Sequence, residues 1–215
     1  MGGGDFDPGS TAQLLRRAGT VVAADGGAEA LIALGRVPDA VIGDMDSLSP
    51  AAAARIPADR IHHIAEQDST DFDKCLRNIE APLIWCAGFL GARVDHELAA
   101  LTVLARRTDK RCILIGRDDV ITLTPRRLEM ELPAATRVSL YPMRAVTGRS
   151  TGLRWPIDGI DFRPDGRTGT SNESSAPVVT LETDGPGLLL ILPAMSLPPL
   201  ERALEQAPRG WPRPA

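Results

Sequence analysis

Two short apolar runs and the segment between them do most to restrict the fold of this chain. TVVAADGG (20–27) is rich in β-branched residues and stops at glycines, and DAVIGD (39–44) is a second such run. Between them AEALIALG has helical composition and ends at Gly35, a helix C-cap position. Strand, helix and strand inside about 25 residues imply a parallel βαβ unit. The alternation continues. STDFDKCLRNI spaces Phe72, Cys75, Leu76 and Ile79 along one helix face, with Thr70 as N-cap and Asp73 three residues on. PLIWCAG (82–88) reads as a strand, VDHELAALTVLARR as a helix through Leu98, Leu101 and Ala105, and RCILIG (111–116) as another strand.

From about residue 119 the pattern changes. DVITLTP, RLEMELP, RVSLYPM, VVTLETD and GLLLILP are short runs punctuated by Pro and Gly, the signature of an antiparallel β domain and most simply a sandwich. The expected organisation is a Rossmann-like parallel α/β domain over 1–118, a C-terminal antiparallel β-sandwich over 119–195, and a tail over 196–215 with one or two helical turns. A doubly wound sheet usually opens on an apolar strand that leads into its first glycine turn. Here the chain begins at that turn, MGGGDFDPG, so the expectation is that this strand is absent or that the start of the sequence is misplaced.

Hydrophobic residues make up 43% and charged residues 24%, which places the chain among ordinary globular proteins. The net charge of −4 gives no electrostatic footprint for a nucleic-acid backbone, so no nucleic-acid partner is expected. No apolar run reaches the roughly 18 residues of a membrane span, and the first residues lack the basic and apolar regions of a signal peptide. Cys75, Cys86 and Cys112 are odd in number and show no C-x-x-C spacing; buried, reduced thiols in a cytoplasmic protein are the plain reading.

Four acidic stations punctuate the α/β half: ADGGA (24–28), GDMDS (43–47), EQDSTDFD (66–73) and GARVDH (91–96). Each falls where a strand stops or a helix starts, the edge at which open α/β sheets bind ligands. A curl at the strand end would bring Asp44 and Asp46 onto one hard cation such as Mg²⁺, which takes oxygen ligands and keeps phosphate in its shell. D-x-D by itself reads first as a solvated loop, and Asp71 or Asp73 would also suit the positive end of a helix. Four stations in succession, with Asp68 lying before the cap, point to one shared site. Arg93 is either a surface residue or a phosphate grip. His96 reads first as a hydrogen bonder at a helix start. No P-loop is present, but metal ions can bridge carboxylates to a polyphosphate.

In order and spacing, ADGGAEAL…GRVPDAVIGDMDSL, QDSTDFDKCL and GARVDHELAAL, followed by STGLRWPID and TGTSNE, resemble the thiamine pyrophosphokinase family over roughly residues 20 to 192. The resemblance implies transfer of a pyrophosphoryl group from ATP to the hydroxyl of thiamine, giving thiamine diphosphate and AMP. It also implies a homodimer whose active sites lie between the α/β domain of one subunit and the β domain of the other. Carried over residue by residue, it makes Asp44, Asp46 and Asp71 the magnesium-side carboxylates and adds Asp95 to the catalytic set. Asp25, Gln67, Asp68, Thr70, Arg93 and His96 go to the nucleotide and metal cleft. Trp155 would stack on the aminopyrimidine, and Ser171 and Asn172 would hydrogen-bond near that ring. The family pattern usually has Phe where Met45 stands, Gly where Ala92 stands and Asn where Ala100 stands.

The chemistry is coherent with these residues. Attack at the β-phosphorus with AMP leaving asks the protein for positioning and charge neutralisation. Asp71 or Asp95 is the proton acceptor, and the sequence does not choose between them. Trp155 offers a π face to the thiamine cation, or else is a core residue of the sandwich. Trp85 reads as core and Trp211 as incidental. The competing readings are a pyrophosphokinase for another alcohol such as a hydroxymethylpterin, a nucleotide-binding module without turnover, and a D-x-D sugar transferase. The last leaves three acidic stations unexplained.

Overall fold

Asp7 and Pro8 begin the first helix, α1 (Pro8–Arg17): the Asp7 carboxylate accepts from Ser10 N at 2.7 Å, proline takes a position whose N–H would have no helical partner, and Arg16 and Arg17 close the last turn. This computed structural model describes residues 1–91, 93–208 and 211. The chain divides into two compact units, one of residues 1–80, 86–103 and 115–117, the other of 81–85, 104–114 and 118–215.

The first unit carries the expected βαβ element. β1 (Val22–Ala24) leads through α2 (Gly27–Ala33) to β2 (Ala40–Gly43), and the strands pair in parallel with Val22 opposite Ala40. Gly35 follows the helix in the left-handed region at φ 78°, as its C-cap reading requires. A short α3 (Pro50–Ala53) precedes β3 (Ile61–His63), which pairs in parallel on the far side of β2 and completes the order β1-β2-β3. α4 (Asp71–Asn78) is capped by Thr70, whose hydroxyl accepts from Asp73 N at 3.3 Å. Phe72, Cys75 and Leu76 on its expected face are buried, and Cys75 clusters with Ala24 and Ile42 of β1 and β2. That packing fixes the N-terminal end of α4 beside the C-terminal ends of the two strands.

β4 (Ile84–Ala87), α5 (Val94–Arg106) and β5 (Cys112–Ile115) follow at the positions read from the sequence. Ala100, at the family's polar position in α5, is 4% exposed, so a methyl suits its surroundings. Ala92 lies outside the described residues. All three cysteines are buried and none forms a disulfide among the described residues, and burial pushes the Cys75 thiol up to about 12.

The remaining strands are β6 (Asp119–Leu123), β7 (Arg127–Glu131), β8 (Arg137–Pro142), β9 (Gly148–Thr151), β10 (Gly169–Glu173), β11 (Val178–Thr183) and β12 (Leu188–Pro193). One sheet has the order β10-β8-β12-β6-β5-β4 and a second the order β7-β11-β9. β12 pairs antiparallel with β6 and β8 on either side, which is why LLLILP is apolar almost throughout. RLEME of β7 alternates exposed and buried residues, as suits a sheet edge with one covered face. The chain thus combines a parallel sheet with helices and antiparallel β structure.

Several expectations need correction, three of them at the two ends of the chain. The tail helix α6 (Leu197–Gln206) has 10 residues rather than one or two turns, with Leu200, Ala203 and Leu204 buried. Trp211 is not incidental: it is half-buried and its indole N–H donates to Thr124 O at 3.1 Å. The opening glycines are a paired segment rather than a free turn. Met1 N donates to Val22 O at 2.7 Å and Ala24 N to Met1 O at 2.8 Å, while Gly2 N donates to Ala87 O at 2.8 Å. The first two residues therefore hydrogen-bond to β1 on one side and β4 on the other. The fit admits no side chain: a Cβ on Gly2 would lie 2.2 Å from Gly88 O, and one on Gly27 2.1 Å from Met1 O.

Candidate functional site

β2 ends at Gly43, and the next residues form the acidic curl. Met45 sits in the left-handed region at φ 64°, an uncommon state for a residue with a side chain. This reversal turns Asp44 and Asp46 toward one point, while Met45 packs on the Val21, Leu31 and Val41 core cluster. Asp25, just past β1, is also left-handed at φ 40°. Carboxylate oxygens of Asp25, Asp44 and Asp46 lie within 4.8 Å of one another. Gly43 makes this possible, since a Cβ there would be 2.8 Å from the Asp25 Cβ and 3.1 Å from Asp71 Oδ1.

Asp25 is 2% exposed. Its Oδ2 accepts from Ser47 N at 3.0 Å, but its buried Oδ1 has no hydrogen-bond partner among the described residues. Burial pushes the Asp25 carboxyl above the ordinary range and the nearby carboxyls of Asp46 and Asp71 add to the rise, against the Ser47 hydrogen bond. Asp44 is held below the ordinary range, chiefly by the Gln67 amide, which donates to its Oδ2 at 2.9 Å, with Lys74 contributing. Asp46 accepts from Ser47 Oγ at 2.8 Å.

The sequence reading grouped Asp71 with Asp44 and Asp46 and put Asp25 beside them. In the structure Asp25 is the third member of the close group, and Asp71 Oδ1 is 3.1 Å from Lys74 Nζ. Lys74 escaped the sequence reading. Its side chain is buried, and its ammonium also lies 3.9 Å from Asp44 Oδ2. The signal was available in DFDK: residues 71 and 74 stand three apart at a helix start, on neighbouring positions of one face.

Gln67, Asp68 and Thr70 occupy the loop before α4. Glu66 ties that loop down. Its carboxylate accepts from Asp68 N at 2.9 Å, Ser69 N at 3.1 Å and Ser69 Oγ at 2.5 Å, and pairs with Arg77. Asp68 itself is exposed. Arg93 and Asp95 are exposed and bind each other, with Arg93 Nη2 2.7 Å from Asp95 Oδ2; the contact lowers the Asp95 carboxyl and raises the Arg93 guanidinium. His96 is exposed at the start of α5. Among the described residues no hydrogen bond or ion pair joins Arg93, Asp95 or His96 to the acidic group.

In the second unit, Trp155, Ser171 and Asn172 line one cleft of about 520 Å³. Trp155 is 52% exposed, a rim residue rather than a core one. A register shift between Gly169 and Asn172 puts one extra residue in β10 against β8, and Ser171 takes φ 61° there. The bulge turns Asn172 inward to 6% exposure. Its Oδ1 accepts from Trp155 N at 3.2 Å and its Nδ2 donates to Trp155 O at 2.7 Å, so the amide clasps the tryptophan backbone from both sides. Glu173 N also donates to Asn172 Oδ1, at 2.9 Å. Arg154 lies 4.7 Å from the indole centroid and is held by Glu173 at 2.7 Å.

Comparison with known proteins points to one family. Residues 11–115 match the family model described as thiamin pyrophosphokinase, catalytic domain. The chain is 30% identical over 166 residues to thiamine pyrophosphokinase 1 of Arabidopsis thaliana and 31% identical over 166 residues to thiamine pyrophosphokinase 1 of Oryza sativa subsp. japonica, in each case over 68% of this chain. It spans 62% and 63% of the length of these relatives. The crystal structure of thiamin pyrophosphokinase from Geobacillus thermodenitrificans shares the fold at a TM-score of 0.71 and 23% identity, over 89% of this chain and 94% of that one. The yeast thiamin pyrophosphokinase structure does so at 0.72 and 16%, over 94% and 86%.

Proposed function

We propose that this chain is a member of the thiamine pyrophosphokinase family and transfers pyrophosphate from ATP to the hydroxyl of thiamine, releasing AMP. The observation that carries the reading is the convergence of the Asp25, Asp44 and Asp46 carboxylates, together with a buried Asp25 oxygen that nothing among the described residues satisfies. An orphaned buried acceptor is costly, and a cation removes the cost. Three hard oxygen donors fit Mg²⁺. Asp25, Asp44 and Asp46 would hold the ion, with Asp71 adjacent. When bound, Mg²⁺ supplies charge neutralisation for the triphosphate.

The protein's own groups do the positioning. Gln67 fixes the Asp44 carboxylate, and the Glu66 anchor sets the loop carrying Gln67, Asp68 and Thr70. Arg93, paired with Asp95, offers a guanidinium to phosphate, and His96 lies next to that pair. Asp71 or Asp95 receives the hydroxyl proton of the acceptor. In the second unit Trp155 stacks on the thiamine ring system, with Ser171 beside it. Asn172 is reassigned from ring contact to positioning, because its amide is used on Trp155. Arg154 on the same indole would repel a cationic substrate, and Glu173 offsets that charge. The reading treats the parallel part as a Rossmann-like domain ending near residue 118 and the antiparallel sheets as a β-sandwich. It extends to a homodimer working in the cytoplasm.

The test is AMP release measured with ATP, Mg²⁺ and thiamine, each omitted in turn. AMP should appear only with all three present. A folded chain that forms no AMP at saturating substrates, or that accepts a hydroxymethylpterin as well as it accepts thiamine, ends the assignment.

A further inference from the structure

The proposed acceptor is a cation, yet the cleft that would hold its ring presents a positive charge. Trp155, Ile157 and Phe162 give the cleft its apolar lining, and Thr168 and Thr170 bring hydroxyl groups. Arg167 is the one charged residue among the described residues that line it. A tight turn fixes its place: Gly166 N donates to Arg163 O at 3.0 Å, and Arg163 N donates to Arg167 O at 3.2 Å. The turn starts from Phe162, which is fully buried and exchanges both backbone hydrogen bonds with Val146 at 3.0 Å. Two other arginines adjoin the lining along the chain, Arg154 before Trp155 and Arg163 after Phe162. Each has its own carboxylate, Glu173 at 2.7 Å for Arg154 and Asp165 at 3.2 Å for Arg163. Arg167 is exposed, and among the described residues its side chain has no ion pair and no hydrogen bond.

We propose that Arg167 is a specificity-determining residue that grips a phosphate carried by the ring bound in this cleft, so that thiamine diphosphate is held there more tightly than thiamine and competes with it. The inference rests on the thiamine reading above and adds a regulation of that same site. Charge sets the direction. Thiamine is a cation, and the guanidinium repels it; in the diphosphate the two phosphates outweigh the thiazolium charge, and the guanidinium attracts the net anion. The planar fork of arginine matches phosphate oxygens and keeps its proton at any ordinary pH. Arg154 and Arg163 do not serve in the same way, because carboxylates already neutralise them. The volume of the cleft, about 520 Å³, falls within the range of small-molecule sites. A ring against Trp155 and a phosphate on Arg167 act together only in a molecule that carries both.

The test is calorimetric titration of the full chain with thiamine, thiamine diphosphate and inorganic pyrophosphate, without nucleotide and in EDTA. Chelation leaves the acidic corner without an ion through which a diphosphate could be held. The wild-type chain should bind thiamine diphosphate about tenfold more tightly than thiamine, as one charge-assisted contact allows, and the preference should shrink as salt is added. Pyrophosphate should bind at least about tenfold more weakly than thiamine diphosphate, since it lacks the ring. Arg167→Met changes an exposed side chain without partners, so it should fold as the wild type does. It should bring the two thiamine compounds within about threefold of each other, with the diphosphate weaker and thiamine itself about twofold tighter. A general loosening of the cleft would weaken both. Arg167→Lys should restore part of the preference, because it keeps the charge and loses the fork. Equal binding of the two compounds by the wild type overturns the proposal, as does an unaltered preference in Arg167→Met or pyrophosphate binding that matches the diphosphate. Thiamine bound without preference removes this inference alone; a folded chain that binds neither thiamine compound removes the thiamine reading as well.

Discussion

At the scale of single residues, Asn172 shows most plainly how position decides role. An asparagine beside an aromatic in a binding cleft reads from sequence as a ligand contact. The β10 bulge buries it, and its amide spends its capacity on the Trp155 backbone. Asn172→Ala would leave the Trp155 N–H and C=O without these partners and should cost about 1–3 kcal/mol of stability. The indole would lose its fixed seat, so KM for thiamine should rise about tenfold with a smaller change in kcat, as expected when ground-state binding is what is lost. Chemical denaturation and steady-state kinetics check the two halves; an unchanged KM would return Asn172 to a structural role. The acidic residues themselves were legible, because D-x-D at a strand end announces itself. How they converge was not, because that depends on a left-handed Met45 and a glycine at 43. Neither of these leaves a mark in hydrophobic periodicity.

At the scale of elements, the entry to α4 is the most heavily anchored loop in the site. Glu66 gathers two backbone N–H groups, the Ser69 hydroxyl and Arg77. Its carboxyl is lowered from 4.5 to about 2, first by the Ser69 hydroxyl and then by Arg77. A folded-state pKa below the unfolded one means stability that is complete above the unfolded value and is lost as pH falls. The anchor should therefore hold above pH 4.5 and release as the pH falls toward about 2. Glu66→Gln should flatten that acid limb while lowering stability near neutrality, which thermal melts across the pH series would show. A wild-type acid limb retained in the variant would assign the effect to another group. Long amphipathic helices and apolar strands were readable: α4, α5 and β12 stand where spacing put them. α1, β3, β9 and β10 were not. GRST and GTSNE lack apolar alternation, IHH is three residues long, and the Asp-Pro start of α1 is masked by the glycines before it.

At the scale of the whole molecule, runs of apolar residues locate strands but say little about which strand lies beside which. Pairing is a long-range property. The sequence put β4 and β5 with β1 and β2 in one parallel sheet. In the structure they continue the sheet that holds β6, β12, β8 and β10, while β1, β2 and β3 form their own. The acidic corner is also a long-range construction, drawn from residues 25, 44, 46 and 71 at three strand–helix junctions. A ligand that binds only the folded form stabilises it, by about 2.7 kcal/mol at a hundredfold excess over its dissociation constant. Mg²⁺ should therefore raise the melting temperature by roughly 5–10 °C relative to EDTA, and Asp44→Ala should abolish the difference. Coincident melts of the wild-type chain in the two buffers would remove the ion from the corner. The unsatisfied oxygen of Asp25 has one more consequence. Three loops distant along the chain are fastened at a spot where, among the described residues, carboxylates outnumber the Lys74 ammonium set against them. If the proposed ion binds there, how firmly that corner is closed is set partly by the salts dissolved around it, and free magnesium is in effect a removable part of the scaffold.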